Sequence, residues 1–488
     1  MRLTVAILAI CFLATNAAAQ AALPKVTGPV AVTKDSYPLM AADRVQDAVD
    51  LKKLGYVEEE FIVNGTANVY TWAADGSVNV KTPNAPYGTR IIVRRPADAA
   101  RFSGNVIVEL LNEARSYDWA FIWAVSHPYF VEHGDAFVGI THFPQNIDSL
   151  KKFNPSRYAA LSYANPNPAE ACGAQAATSP SEEGLRWDSI TQIGTLLKSK
   201  PATGPLAGFN VENVYLSSHH GQAVTYAIAF DARANRYNGR PIFDGYMIKS
   251  SDSPSRLSRC DAAPANGDPR QLVRNISVPM IRVVPQAEVL RPNASRRPDS
   301  DEPGDRYRLY EVPGAPRMDK TYFQQLPVIE DQLKAGQPAS NSKWPYDYRC
   351  SPDLDLIDFP PLRHAVNAAF WNLDNWVRTG APPPRAERIA VKDFGIPQAA
   401  FDVDQFGNAK GGVRSPYIEV PTATYAAQSP GQCNNIVSKT PFDWSRLQTI
   451  YGTPKTYTDR VRAVVDRLVK ERWLTESDAR GIKATLVP

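Results

Sequence analysis

The sequence predicts an α/β fold in which helices cover both faces of a mostly parallel central sheet. Strand-like and helix-like segments alternate along the middle of the chain, which is the pattern of parallel sheets. In addition, residues 211–230 pass from a β-branched run into an Ala-rich run through only four residues, 217–220. A turn this sharp presents one side chain at the carboxyl edge of the sheet.

The elements are predicted in order from hydrophobic spacing. Short strands at 61–63, 67–72 and 89–94 are expected to form an antiparallel edge. Core strands are predicted at 105–111 and 136–140, which are nearly continuous apolar runs. Further strands are predicted at 211–216, 243–248, 278–284 and 307–312, which are rich in β-branched and aromatic residues. Helices are predicted at 118–133, with a break at Pro128, and at 188–197, 221–233, 364–378, 458–468 and 476–484.

The amino terminus predicts export. Met1 and Arg2 give a positive start, residues 3–13 are apolar but too short to span a bilayer, and residues 16–21 offer small-residue cleavage sites. We expect residues 1–20 to be a signal peptide, with an uncleaved anchor as the alternative. The mature protein is then expected to be secreted or periplasmic, with no membrane attachment after cleavage. Residues 21–488 are predicted to form one large domain, in which the loop-rich span 385–440 is a lid or a structural insertion.

The charge balance and the cysteines indicate which partners, disulfides and metal sites to expect. The 54 basic and 50 acidic residues nearly balance, and no basic run is interleaved with aromatic residues, so we expect no nucleic acid partner. The mature chain keeps four widely spaced cysteines, which predict two disulfides or buried thiols, with the pairing open: Cys172, Cys260, Cys350 and Cys433. Adjacent histidines at 219 and 220 lack the spacing of a helical zinc motif, so we expect no metal and no cofactor.

Several blocks of sequence, in a fixed order, resemble one family. These blocks are residues 55–60, 89–96, 108–112, 154–158, 373–378 and 407–414. They are similar to the large secreted bacterial α/β-hydrolase-domain proteins, a group of hydrolases, and the similarity runs over nearly the whole mature chain. The resemblance implies an α/β-hydrolase fold and action on a small-molecule substrate.

The same resemblance places a catalytic triad on unusual residues. In the family the elbow resembles G-x-S-Q-S, an acid follows a later strand, and the histidine lies in G-x-A-H-x-D. Carried over, the serine position is His220, the acid position is Glu288, and the histidine position is Arg317. An arginine stays protonated and cannot serve as the base of a triad. A shift of one or two residues would bring Ser218 or Ser217 to the turn, but no shift restores the histidine.

Four functions remain open on these residues. The first is an enzyme acting on a small ester, lactone or carboxylate, with His220 as base or nucleophile, Glu288 orienting its ring, and Arg317 binding a carboxylate or oxyanion. Oxyanion and substrate-binding groups are expected from residues around the turn and in the loop 112–117: Gly221, Asn112, Glu113, His219 and Ser218. The alternatives are a lyase or isomerase with His220 as general base, a serine esterase using Ser217 or Ser218, and an inactive hydrolase-like binding protein.

Overall fold

A nine-stranded mixed sheet forms the centre of the molecule. The computed structural model describes residues 23–173, 178–231, 236–249, 254–291, 296–338, 361–394, 399–425 and 437–486. The predicted signal peptide at 1–20, Cys350 and Cys433 lie outside the described residues. Within the described ranges, no helix combines the length and the apolar character needed to cross a bilayer.

The strands of the main sheet lie in the order β1-β2-β3-β5-β4-β6-β9-β10-β11. Their bounds are β1 Lys25–Thr27, β2 Tyr56–Trp72, β3 Val78–Pro96, β4 Asn105–Leu110, β5 Ala136–Ile140, β6 Asn213–Ser218, β9 Gly245–Lys249, β10 Met280–Pro285 and β11 Tyr307–Val312. Strands β1, β2, β3 and β5 pair antiparallel, and the pairs from β5 to β11 are parallel. Short hairpins are formed by β7 Arg236–Tyr237 with β8 Arg240–Pro241, β12 Val391–Lys392 with β13 Ala400–Phe401, and β14 Ala423–Tyr425 with β15 Lys439–Pro441.

Helices connect and cover the parallel strands. Their bounds are α1 Phe121–His133, α2 Pro144–Phe153, α3 Arg186–Lys198, α4 Gln222–Tyr226, α5 Gln286–Val289, α6 Lys320–Gln324, α7 Ile329–Lys334, α8 Pro361–Thr379, α9 Pro416–Glu419, α10 Trp444–Tyr451, α11 Pro454–Lys470 and α12 Glu476–Ala484. Every residue of β4, β5, β6, β9, β10 and β11 is buried, as expected for strands that are covered on both faces. The predicted α/β class and the antiparallel edge are therefore confirmed.

Several predicted elements are wrong in detail. The three short amino-terminal strands are two long ones, β2 and β3, because the ladder between them continues through Asn64, Gly65 and Thr66, where a turn had been expected. Helix α1 continues through Pro128 instead of breaking there. The helix expected at 221–233 is α4 followed by a π-helical turn, Ala227–Asp231, and β6 extends two residues further than predicted, to Ser218.

Two further predictions concern the carboxyl-terminal span and the cysteines. In the described part of residues 385–440, the backbone bonds to the edge strand β11, through Val413 N–H to the Glu311 carbonyl at 2.7 Å. Cys172 and Cys260 form a disulfide with a Cα–Cα separation of 4.8 Å. That bond joins the segment before α3 to the segment after β9.

Candidate active site

The sharp turn after β6 places His220 at its apex. Ser217 Oγ donates to the Val108 carbonyl at 2.9 Å, so it points into the sheet. Ser218 Oγ donates to the His220 carbonyl at 2.5 Å and accepts from Ala223 N–H at 3.3 Å, so it stabilises the turn itself. Both serines are fully buried, whereas the His220 side chain is 19% exposed. The apex residue is the one that the resemblance placed there.

The structure brings the three predicted catalytic side chains into one row. Arg317 lies in the loop after β11, and its guanidinium is 2.7 Å from His220 Nε2. The same guanidinium forms an ion pair with Glu288 at 3.2 Å. Glu288 lies in α5, directly after β10, and is completely buried. Arg317 therefore stands between Glu288 and His220, whereas Glu288 had been expected to orient the imidazole ring itself.

The loop after β4 supplies the groups on the other side of the ring. Glu113 Oε1 is 3.5 Å from His220 Nδ1, and the side-chain amide nitrogen of Asn112 is 3.1 Å from the same atom. Asn112 Oδ1 accepts from Ala114 N–H at 2.9 Å, which fixes the turn of the loop. Glu113, expected to bind substrate, therefore stands where it can hold the proton of the imidazole ring.

The tautomer of His220 follows from these neighbours. As placed, the amide of Asn112 and the guanidinium of Arg317 both offer donors, but a neutral imidazole has only one lone pair. The guanidinium has no acceptor to offer, whereas an amide can rotate and present its oxygen at the loss of the bond to Ala114. The lone pair therefore belongs on Nε2, facing Arg317, and the proton on Nδ1, facing Glu113.

The carboxyl group of Glu113 is held in its charged form. Burial alone raises the pKa of Glu113, but the hydrogen bond with His220 and the fields of His220 and His142 outweigh burial and lower its pKa below the ordinary value. An ionised Glu113 favours a proton on Nδ1 and stabilises the ring when it becomes positively charged. This is the electrostatic requirement for a histidine that gains a proton during a reaction.

The remaining predicted site residues, His219 and Gly221, flank His220 in the turn. His219 is buried, and its ring stacks on Phe121 at 4.0 Å with an interplanar angle of 3°. Burial, with the positive charge of Lys249, holds the pKa of His219 well below its ordinary value, so this ring is neutral. Gly221 is the N-cap residue of α4, so its N–H belongs to the donors that have no partner inside the helix.

A buried ionic network holds the loop that carries Asn112 and Glu113. Arg90 pairs with Glu60 at 2.6 Å and with Asp118 at 2.9 Å, and all three side chains have no exposed surface. Asp118 accepts from Asn146 Nδ2 at 2.8 Å, and Asn146 Nδ2 also approaches the Asn112 carbonyl at 3.4 Å. Removing one member of such a network would leave a buried charge unpaired.

The sequence did not single out Lys249 as a site residue. Its ammonium group donates to the Arg317 carbonyl at 2.5 Å and lies 5.2 Å from the ring centre of Tyr322. Lys249 is buried and ends β9 directly after Tyr246, Met247 and Ile248, so a charged residue ending a core strand was the available signal. Within the described ranges, no group of three or more His, Cys, Asp or Glu side chains is arranged to hold a metal ion.

Comparison with solved structures gives only distant likenesses. Esterase Est22 is 10% identical over 60% of this chain and 83% of that chain, with a TM-score of 0.30. A Rhizomucor miehei esterase is 10% identical over 63% and 91%, with a TM-score of 0.30. LpqC, a poly(3-hydroxybutyrate) depolymerase from Bordetella parapertussis, is 13% identical over 61% and 88%, with a TM-score of 0.27. At these values they carry no argument about the site.

The sequence family gives a firmer result. No curated protein sequence matches the chain significantly. The family model described as "Alpha/beta hydrolase domain" matches residues 26–484, which is nearly the full length. The sheet order and the strand-turn-helix apex agree with that match. The chain therefore belongs to the alpha/beta hydrolase domain family.

Proposed function

We propose that this protein is a hydrolase of small esters or lactones in which His220 acts as a general base on water. The supporting observation is the position of its ring, between the Glu113 carboxylate on the Nδ1 side and the Arg317 guanidinium on the Nε2 side. A base of this kind needs a lone pair directed into the cleft and a negative charge behind it. Glu113 supplies the negative charge, and the Nε2 lone pair, which Arg317 contacts in this structure, becomes available once a substrate binds that guanidinium.

The reaction can be written with the residues of the site. In the resting state, an N–H group of Arg317 points at His220 Nε2. When the substrate binds, its carbonyl oxygen accepts a hydrogen bond from that N–H group, which frees Nε2. A water molecule then gives a proton to Nε2 while its oxygen attacks the acyl carbon. The oxyanion so formed faces Arg317, and its collapse releases an alkoxide, which takes the proton back from Nε2. The products are a carboxylic acid and an alcohol, or a hydroxy acid from a lactone.

Glu288 and Lys249 keep Arg317 in place during this exchange. Glu288 binds one end of the guanidinium, and Lys249 binds the carbonyl of the same residue. A guanidinium fixed at two points costs little reorganisation when charge develops on the substrate. The backbone N–H of Gly221 is the second donor that we assign to the oxyanion, by analogy with the fold.

The burial and hydrogen bonds of the two serines count against a serine nucleophile. A serine esterase needs a hydroxyl at the apex and a base within hydrogen-bond reach. Ser217 and Ser218 are buried, and their hydroxyl groups donate to carbonyl groups of the protein. We therefore assign no acyl-serine intermediate to this chain.

One observation favours a second candidate. In the resting site, the Arg317 guanidinium lies 2.7 Å from His220 Nε2. A substrate carboxylate that binds Arg317 would replace this contact. A carboxylate held there would bring its α-carbon close to Nε2, as proton abstraction by a lyase or isomerase requires. A protein that only binds such a carboxylate would use the same contacts without turnover. Product mass separates these outcomes, because only hydrolysis adds one water.

The first experiment combines turnover with intact mass. We expect His220→Ala to lower kcat/KM on small esters or lactones by about 10²- to 10⁴-fold, since it removes the general base. A fluorophosphonate probe should give no adduct on the folded protein, with Ser217→Ala/Ser218→Ala as the matched control. An adduct that disappears in that control would contradict the proposal and assign the chemistry to a serine.

Export is part of the same proposal. The cleavage expected after residues 1–20 and the Cys172–Cys260 disulfide both suit an oxidising compartment outside the cytoplasm. The intact mass from the experiment above also reports whether the amino-terminal segment has been removed. A secreted fraction that retains all of residues 1–20 would count against the signal peptide.

A further inference from the structure

The loop after β11 carries Arg317, and other segments of the fold hold that loop in place. The guanidinium of Arg317 contacts His220, so its position depends on the backbone that carries it. Lys249, at the end of β9, donates to the Arg317 carbonyl at 2.5 Å and holds the backbone of that residue. The earlier part of the loop is held by a residue that has not been assigned to the site, Gln286 of α5.

Gln286 accepts a hydrogen bond from the backbone of this loop. The Gly314 N–H donates to Gln286 Oε1 at 2.6 Å, and both residues are buried. A backbone N–H can only donate, so the oxygen of the side-chain amide must face it. A second contact joins the same two segments in the opposite direction, from the Ala287 N–H to the Ala315 carbonyl at 3.4 Å.

Helix α5 thereby contacts the loop at its backbone and at its charged side chain. Gln286 binds Gly314, and Glu288 of the same helix pairs with the Arg317 guanidinium at 3.2 Å. The first contact sets how far the loop lies from α5, and the second directs the guanidinium that the loop presents. The row from Glu288 through Arg317 to His220 therefore depends on the acceptor of Gln286.

Loss of this acceptor would displace the loop. Gly314 is buried, and a buried backbone N–H without a partner is costly, so the loop would shift until that group reached water or another acceptor. Arg317 would move with it, because it lies in the same loop. Its contact with His220 Nε2, at 2.7 Å, allows little displacement, since a hydrogen bond to a ring nitrogen needs close approach and good alignment.

We propose that Gln286 is a positioning residue for the reaction. Its side-chain oxygen fixes the loop after β11, so that the Arg317 guanidinium reaches His220 in the resting state and the oxyanion during turnover. Gln286 acts through Arg317 and takes no part in the chemistry itself. The inference rests on the function proposed above for His220 and Arg317.

The first test reads the contact between Arg317 and His220 without turnover. In the mature protein labelled with ¹⁵N-histidine, the Nε2 resonance of His220 is assigned by its absence from His220→Ala. A hydrogen bond accepted from Arg317 shifts this resonance, so Arg317→Met gives its value for the broken contact. We expect Gln286→Met to move the resonance toward that value. Gln332→Met is the matched control, because this buried glutamine of α7 donates to the Pro327 carbonyl at 2.7 Å.

The second test measures steady-state kinetics on the ester or lactone that the protein hydrolyses. Gln286→Met should lower kcat about ten- to hundredfold, because small displacements of a catalytic donor are costly. KM should change little, since the contact with Arg317 strengthens as charge develops on the substrate. In the double variant Gln286→Met/Arg317→Met, kcat should equal that of Arg317→Met. A merely structural loss would lower kcat in both backgrounds, and Gln332→Met should leave kcat and KM unchanged.

The outcomes separate this inference from the proposed function. If Arg317→Met changes the Nε2 resonance and kcat while Gln286→Met leaves either at its wild-type value, the inference alone is overturned. Additive losses of kcat in the double variant would overturn it as well. A kcat retained in Arg317→Met would contradict the proposed function, and the inference with it. If Gln286→Met does not fold, Gln286→Asn replaces it in both tests, because its shorter side chain withdraws the acceptor and remains polar.

Discussion

At the scale of single residues, the site depends on one imidazole between opposite charges. His220 has a carboxylate on its Nδ1 side and a guanidinium on its Nε2 side, so the neighbours of the ring select its tautomer. Gain of a proton at Nε2 would strengthen the contact with Glu113 and repel Arg317. In the mechanism that we propose, protonation of His220 and release of Arg317 toward the substrate are thereby coupled.

The role of Glu113 can be tested by an isosteric change. Glu113→Gln keeps the shape of the side chain but removes the charge that stabilises a positive His220. We expect kcat to fall about a hundredfold with little change in KM, because the carboxylate acts on the transition state. Steady-state kinetics measure both constants. An unchanged kcat would mean that Glu113 only shapes the loop.

The sign of the pH effect at Glu113 is fixed by its environment. Its pKa in the folded state lies below the ordinary value, so its favourable interaction is complete above pH 4.5 and is lost only as the pH falls through the folded pKa. The negative charge behind His220 is therefore present throughout the neutral range. An acid limb of the activity profile well above pH 4.5 belongs to another group.

The sequence predicted some of these residues and not their arrangement. The resemblance to the family identified His220, Glu288 and Arg317. Each of them follows a predicted strand, and the carboxyl ends of parallel strands meet at one edge of a sheet, so the three could be expected to lie close together. The contact of Glu113 with Nδ1 does not follow, because it depends on a loop held by Arg90 and Asp118 from distant parts of the chain. Long-range polar networks leave no periodic signal in a sequence.

At the scale of elements, α1 shows how packing overrides a local rule. Pro128 lies inside this helix although proline lacks the N–H that would bond to the fourth preceding carbonyl. His127 Nδ1 contacts the Trp123 carbonyl at 3.1 Å, which supplies a local side-chain contact beside the interruption. Nine residues of the helix are buried, and their packing stabilises it. The spacing of apolar residues in the sequence does not show whether this stabilisation exceeds the cost of the proline.

A substitution at Pro128 measures the cost of that interruption. We expect Pro128→Ala to raise the free energy of unfolding by about 1 to 3 kcal/mol, because it restores a backbone hydrogen bond and relieves the clash of the ring. Pro454→Ala is the control, since proline in the first turn of α11 costs little. Chemical denaturation of the three proteins gives the values. A gain no larger than the control's would show that the helix carries Pro128 without strain.

At the scale of the whole molecule, buried histidines make the fold sensitive to acid. Burial, reinforced by the charge of Arg186, lowers the pKa of His142 to about 3. Burial also lowers the pKa of His127 and of His364 to about 4 in each case. Because these rings are neutral when folded and take up protons when unfolded near pH 6.5, their contribution to stability falls as the pH drops below that value.

His142 offers the clearest test of this dependence. Its contribution is complete above pH 6.5 and declines toward pH 3, at about 1.4 kcal/mol per pH unit for one proton. His142→Gln should therefore reduce the slope of the unfolding free energy against pH between about pH 6 and pH 4. The reduction should correspond to about one fewer proton taken up on unfolding. Urea denaturation at several pH values measures the slope. Parallel curves for the two proteins would exclude this histidine as a source of acid sensitivity.

The overall architecture was accessible from sequence, whereas the order of strands was not. Alternating apolar runs predicted the parallel sheet, and polar turns predicted its antiparallel edge. The placement of β5 between β3 and β4 reflects how crossover helices pack, which is a property of three dimensions. The disulfide partner of Cys172 was open for the same reason.

That disulfide also changes the connectivity of the molecule. Cys172 and Cys260 are 88 positions apart, and the chain between them includes β6 and the turn with His220. The turn that carries His220 is thus part of a closed covalent ring. A protease that cuts once inside the ring leaves a single covalent molecule, and the two pieces separate only after a reducing agent opens the bond.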